Sequence, residues 1–126
     1  MSQNGDTNRI LDFTFDCRSG SKMFATAGKK HFYLWDAAAG GDKKKGLFGS
    51  FEPTSFACCA WDMNGNVYAG GSNSKIYVFA AEARQCIACI DAHKSGFIPA
   101  LTFVPSINCL LSGSSDGSLC RISCDD

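Results

Sequence analysis

Leu110–Ser123 reads LLSGSSDGSLCRIS. Two short apolar runs, Cys109–Leu111 and Leu119–Ile122, flank a polar stretch whose Asp116-Gly117 pair is a strong turn dipeptide. Alternating apolar residues around such a turn describe a β-hairpin. The same form recurs upstream. Ile10–Cys17, Lys22–Ala27, Phe32–Asp36, Phe56–Trp61, Val67–Ala69, Ile76–Phe79, Cys86–Ile90 and Ile98–Phe103 are short apolar runs separated by Gly, Ser, Asn and Asp clusters. Asn64-Gly65 supplies a second strong turn signal. Helical periodicity is nearly absent, so the chain reads as all-β.

The runs repeat. Phe15, Trp61 and Phe103 close a first run at spacings of 46 and 42 residues. Gly28, Gly70 and Gly113 end a second at spacings of 42 and 43, and Trp35, Phe79 and Ile122 end a third at 44 and 43. A period of about 40–45 residues with up to four strands per unit is the pattern of β-propeller blades. The expected units are residues 10–52, 54–92 and 93–126. Leu47–Phe51 and Gln85–Asp91 are the expected fourth strands of the first two, and the third unit lacks its outer strand. Apolar residues on both faces, such as Phe32 and Leu34 against Tyr33 and Trp35, suit a blade sandwiched between neighbours.

These residues resemble the WD40-repeat family. Leu110–Ser123 has the family's strand b, Gly-containing turn and strand c in order. Trp35-Asp36 is the family dipeptide, and Ala92-His93 occupies the place of its Gly-His. Phe79-Ala80 and Ile122-Ser123 depart by replacing Trp-Asp. A narrower resemblance lies in GKKHFYLWD (Gly28–Asp36) followed by KKKGLFGSFE (Lys43–Glu52), which is similar to the echinoderm microtubule-associated-protein-like (EMAP-like) family. That resemblance implies a non-enzymatic scaffold with a cytoskeletal role, binding protein partners such as tubulin or microtubules. A general WD40 adaptor for peptides or other proteins is the alternative.

Composition narrows the remaining classes. The 126 residues suffice for one ordinary domain, and 12 Lys+Arg against 12 Asp+Glu leave no net charge. Binding to nucleic acid or anionic membrane through a general positive surplus is therefore not expected. No apolar run approaches the roughly 20 residues of a membrane span. Met1–Arg9 is polar and lacks the apolar segment of a signal peptide, so a cytoplasmic location is expected, and the EMAP-like resemblance implies a cytoskeletal one. The eight cysteines, with Cys58 and Cys59 adjacent and most inside apolar runs, read as reduced core residues rather than a disulfide framework.

Three constellations carry possible chemistry. His93, Ser112 and Asp116 have the residue types of a nucleophilic triad, but no G-x-S-x-G motif accompanies the serine. The WD40 resemblance implies instead a structural network, with the loop histidine hydrogen-bonded to the strand-b serine and the turn aspartate. Ile122 stands where that family usually adds a tryptophan. Cys86-Ile-Ala-Cys89, with His93 beyond it, raises a thiol- or metal-binding protein as a further alternative. On a regular strand, residues three apart point to opposite faces, so these sulfurs are expected to diverge and hold no metal. Lys43, Lys44 and Lys45, with Lys29 and Lys30 on a nearby turn, form the basic concentration of the chain. They read as a solvated flexible loop or as a contact for an acidic partner. Gly70-Gly71-Ser72 and Gly113-Ser114-Ser115 match no phosphate-binding loop, and no cofactor is expected.

Three units make fewer blades than a closed ring needs. Further blades from a longer chain or from self-association are therefore expected, with Phe13, Phe15 and Trp35 among the exposed apolar residues of a lone copy.

Overall fold

The computed structural model describes residues 10–16, 22–36, 42–52 and 54–124. They form three antiparallel meanders. The first sheet orders β1 (Ile10–Phe15), β2 (Met23–Gly28), β3 (His31–Asp36) and β4 (Asp42–Lys45) as 1-2-3-4. The second orders β5 (Phe56–Trp61), β6 (Asn66–Gly71), β7 (Lys75–Ala80) and β8 (Gln85–Asp91) as 5-6-7-8. The third contains β9 (Ala100–Val104), β10 (Cys109–Gly113) and β11 (Leu119–Ser123), with β10 central. A 3₁₀ turn, Pro105–Ile107, joins β9 to β10 where no helical signal is read in the sequence.

The repeat has a direct counterpart in strand register. Trp35, Phe79 and Ile122 pair with Phe24, Val67 and Leu110, each the second residue of the preceding strand. Gly65 and Gly117 take the left-handed φ of +84° and +92° that tight hairpins require.

β1, β5 and β9 are the neighbouring strands where the sheets meet. The Trp61 indole donates to the Thr14 carbonyl at 2.9 Å, and the Cys59 amide donates to Asp12 Oδ2 at 3.1 Å. The middle sheet is covered on both sides. Its Cys59, Trp61, Val67, Tyr77 and Phe79 face a core shared with Ala25, Ala27, Phe32 and Leu34. Its Cys58, Ala60, Tyr68, Ile76 and Val78 face Ile98 and Leu110. Full burial contributes about 1.5–3 kcal/mol per large side chain, so these interfaces supply much of the fold's stabilisation.

The sequence misplaces the fourth strand of the first sheet. Asp42–Lys45 forms β4 against β3, with Leu34 opposite Lys44 and Tyr33 opposite Lys45. An edge strand needs no apolar face, and lysines there discourage further pairing, so the apolar pattern misses it. Leu47–Phe51 instead crosses to the second sheet. The Leu47 amide donates to the Arg84 carbonyl at 2.7 Å, and its carbonyl accepts from the Cys86 amide at 2.8 Å. Phe48 then enters an aromatic cluster, stacked on Phe56 at 6.0 Å and edge-on to Phe79 at 5.4 Å.

Phe13 and Phe15 are 59% and 60% exposed on β1, and Leu119 is 87% exposed on β11. Trp35 is not part of the exposed set. It is buried because its ring stacks on Phe24, with centroids 5.6 Å apart, inside its own sheet.

Candidate functional site

β10 carries Ser112 into the interior, where it is 1% exposed, and the loop before β9 brings His93 over it. That loop is strapped to the β10–β11 turn. Ser114 Oγ donates to the Ser95 carbonyl at 2.9 Å, the Phe97 amide donates to Ser115 Oγ at 3.0 Å, and the Ser115 amide returns to the Phe97 carbonyl at 2.9 Å. His93 Nε2 lies 2.9 Å from Ser112 Oγ, while Nδ1 lies 2.6 Å from Ser118 Oγ.

Proton direction follows from Asp116. Its Oδ1 accepts from both the amide and the hydroxyl of Ser118, at 2.9 and 2.6 Å. These bonds favour the carboxylate, and the Ser118 hydroxyl foremost holds the Asp116 pKa down, from 3.8 to about 2. With its proton committed, Ser118 Oγ accepts from His93 Nδ1–H. When the ring is uncharged, Nε2 is then the acceptor for the Ser112 hydroxyl. The structure thus brings His93 and Ser112 into direct contact and joins Asp116 to them through Ser118. Asp116 and Ser118 are exposed, and Ser112 is buried out of reach of a substrate. The order of groups is that of a hydrogen-bonded clamp between turn, loop and strand.

The first sheet holds a second network that sequence reasoning missed. The Trp35 indole donates to Thr26 Oγ1 at 2.9 Å, and Thr26 Oγ1 lies 2.6 Å from His31 Nε2, all three side chains being buried. The indole can only donate, so Thr26 Oγ1 accepts from it; the direction of the Thr26–His31 bond is set by the tautomer of the ring. Thr26 is the fourth residue of β2, as Ser112 is of β10 and Ala69 of β6, and this shared offset is the signal that would have found it. The histidine here comes from the sheet's own β2–β3 hairpin. Ile122, at the register position of Trp35, has no donor to offer Ser112. In the second sheet the buried Asp62 plays a comparable part, accepting from the Asn64 and Asn66 amides at 2.8 and 3.0 Å and from the Tyr68 hydroxyl at 3.1 Å.

The expected divergence of Cys86 and Cys89 is overturned. Register slips between Val78 and Phe79, which pair with Ala88 and Cys86, so Ile87 is an extra residue on β8. A bulge reverses strand parity. Cys86 therefore sits opposite Phe79 and Cys89 opposite Tyr77, on one face, against the aromatic cluster. Burial pushes both thiols up, away from the thiolate that metals and nucleophilic chemistry require. Among the described residues no third His, Cys, Asp or Glu joins them in a metal-sized group. The seven cysteines described are free thiols, and burial raises Cys58 to about 12. Cys17 lies outside the described residues.

The lysines are placed on a strand rather than in a flexible loop. Lys44 lines a cleft of about 460 Å³ with Asp36, Glu82 and Arg84. Lys45 lines a different one, of about 430 Å³, with Lys30, Thr54, Ser55 and Ser72. Successive residues of β4 thus serve opposite sides.

Known proteins place this architecture. The family model described as "WD domain, G-beta repeat" matches residues 84–121. The chain is 37% identical over 114 residues to the ciliary WD repeat-containing protein ctxp80 of Euplotoides octocarinatus, a match covering 89% of this chain. It is 34% identical over 97 residues to the 77 kDa echinoderm microtubule-associated protein of Lytechinus variegatus, covering 72% of this chain. It spans 15% of the length of each. Among solved structures, U3-55K superposes with a TM-score of 0.77 at 17% identity, over 94% of this chain and 37% of that one. The RRP9 WD40 repeats superpose equally, with a TM-score of 0.77 at 16% identity, over 94% of this chain and 36% of that one. The chain is a WD40-repeat protein with the architecture of part of a β-propeller, a fold that generally serves as a protein-interaction scaffold rather than an enzyme.

Proposed function

We propose that this chain is one segment of a microtubule-associated propeller scaffold, similar in role to the EMAP-like proteins. The observation that carries the reading is its 34% identity, over 72% of its length, to an echinoderm microtubule-associated protein. The ciliary WD repeat-containing relative supports a cytoskeletal setting. The segment that resembles the EMAP-like family, Gly28–Phe51, builds β3, β4 and the aromatic crossover that joins two sheets, so it shapes a surface as well as a core. On this reading residues 10–52, 54–92 and 93–126 are successive blades. His93, Ser112 and Asp116 hold the third one together, and loops on the rigid sheets make the contacts.

Co-pelleting with polymerised microtubules tests it. The protein is expected to sediment with microtubules, and less so as salt rises. Failure to co-pellet at low salt would leave the general adaptor reading in its place.

A further inference from the structure

We infer that Cys86 and Cys89 form a two-coordinate site for a soft monovalent ion, Cu(I), on the face of β8 that meets the aromatic cluster. The site is independent of any microtubule role. Sulfurs diverging from a regular strand could not share an ion, but the extra residue at Ile87 puts both on one side. The same bulge leaves Ile87 53% exposed, so the strand gives up burying an isoleucine where it aligns the two thiols.

The spacing selects the occupant. Cys86 and Cys89 lie opposite Phe79 and Tyr77, two residues apart on β7, which sets the pair roughly 6.6 Å apart along the strand. A disulfide needs Cβ atoms about 3.5–4.5 Å apart, closer than same-face neighbours along a strand come. An ion held in line between two sulfurs, with bonds of about 2.3 Å each, spans about 4.6 Å, a gap that side-chain rotation closes. Cys86 already leans that way, its Sγ donating to the Ala88 carbonyl at 3.3 Å, two residues along the strand toward Cys89. Burial foremost raises the Cys86 pKa, and the Cys89 thiol is near enough to add to the rise.

The ligand count selects the ion. Zinc needs four ligands, and among the described residues no third His, Cys, Asp or Glu joins the pair. Cu(I) is soft, favours thiolate, and is satisfied by two sulfurs. Tyr77, Phe79 and Phe48 belong to the same core cluster as the pair and limit the water that competes for the ion. On binding, two Cu–S bonds form as two S–H protons leave to solvent; copper stays Cu(I) and nothing is oxidised. The bound group carries one net negative charge. Lys75, which opposes the burial that raises Cys89, is close enough to offset it. Cys89 is only partly buried, so the ion enters from its side.

The experiment is an anaerobic competition in which the reduced protein withdraws Cu(I) from its coloured bicinchoninate complex, for wild type and the single variants Cys89→Ser, Cys86→Ser and Cys120→Ser. Cys89 and Cys120 are both partly exposed, so their variants test position rather than loss of any accessible thiol, and unchanged melting temperatures of the copper-free proteins confirm that each folds. Wild type is expected to take up a first equivalent of Cu(I) that weakens at least about tenfold in Cys89→Ser and Cys86→Ser and stays within about twofold in Cys120→Ser. X-ray absorption of the loaded protein should show two sulfur neighbours around copper. Binding to the folded state should also raise the melting temperature. No withdrawal of Cu(I) by wild type would overturn the site, as would equal weakening in Cys120→Ser. Three or more sulfur neighbours would overturn it by showing that other thiols are recruited. A melting temperature that falls with copper would overturn it too, because the ion would then be captured by thiols of the unfolded chain.

Discussion

Ile98 lies so close over Gly70 that a Cβ on the glycine would sit 2.8 Å from the Ile98 carbonyl oxygen and 2.8 Å from its Cγ2. The contact joins β6 to the loop that enters the third sheet, and the Cys58 thiol, donating to the same carbonyl at 3.1 Å, fixes it further. Gly113 is the repeat counterpart of Gly70. A Cβ there would meet only ordinary contacts, Leu119 Cδ2 at 3.6 Å and Ala100 Cβ at 3.9 Å. Gly70→Ala should therefore cost about 1–3 kcal/mol, because a backbone oxygen cannot swing aside. Gly113→Ala should stay within about 0.5 kcal/mol. Urea unfolding of both variants reads the difference, and equal effects would contradict the asymmetry of the two interfaces.

The two histidine networks are unequal in a measurable way. Thr26→Val takes the hydroxyl from both the Trp35 indole and the His31 ring inside the core, and should cost about 2–4 kcal/mol. Ser112→Ala takes one donor from the half-buried His93 and should cost about 1 kcal/mol. A thermal-melt series that reversed this order would show that the third sheet, not the first, depends more on its clamp.

Asp116 makes a pH prediction whose sign is set by its depressed pKa. The folded carboxyl titrates near 2, against 3.8 for the ordinary group. Its stabilisation is complete above about pH 4 and is lost as pH falls toward 2. The stability difference between wild type and Asp116→Asn, taken from denaturant midpoints, should thus shrink steadily below pH 4. Taking the difference removes the other carboxylates, which titrate in both proteins. A difference that stayed constant from pH 6 to pH 2 would mean that Asp116 contributes nothing through its charge.

Burial and raised pKa values make the core thiols slow. At neutral pH iodoacetamide should modify the partly exposed Cys89 and Cys120 first, and should spare Cys58, Cys59 and Cys86 until the protein unfolds. Peptide mass mapping of native and denatured samples checks this. Rapid native labelling of Cys86 would show that the aromatic cluster opens easily.

The exposed Phe13 and Phe15 of β1, and Leu119 of β11, predict association of the chain alone. Light scattering should find a mass that rises with concentration, and the double variant Phe13→Thr, Phe15→Thr should reduce it. A well-behaved wild-type monomer with a sharp thermal transition would show that these faces need no cover.

Strand content, turn positions and the three-fold recurrence were legible in the sequence, because alternation and turn chemistry are local. The spacing of Trp35, Phe79 and Ile122 alone implied that they share a place in each hairpin, and their common register is the consequence. Three features were decided only by tertiary structure. β4 is a lysine strand that an apolar pattern cannot detect, since an edge is stabilised by its one neighbour and not by a buried face. Cys86 and Cys89 share a face because one extra residue at Ile87 reverses parity, and no local signal marks where a strand will bulge against its partner. Thr26, His31 and Trp35 meet because a hairpin register sets them diagonally across two strands. Periodicity tells which way a residue faces on an ideal strand, but which residue lies opposite it is set by pairing, and pairing is a property of the folded sheet.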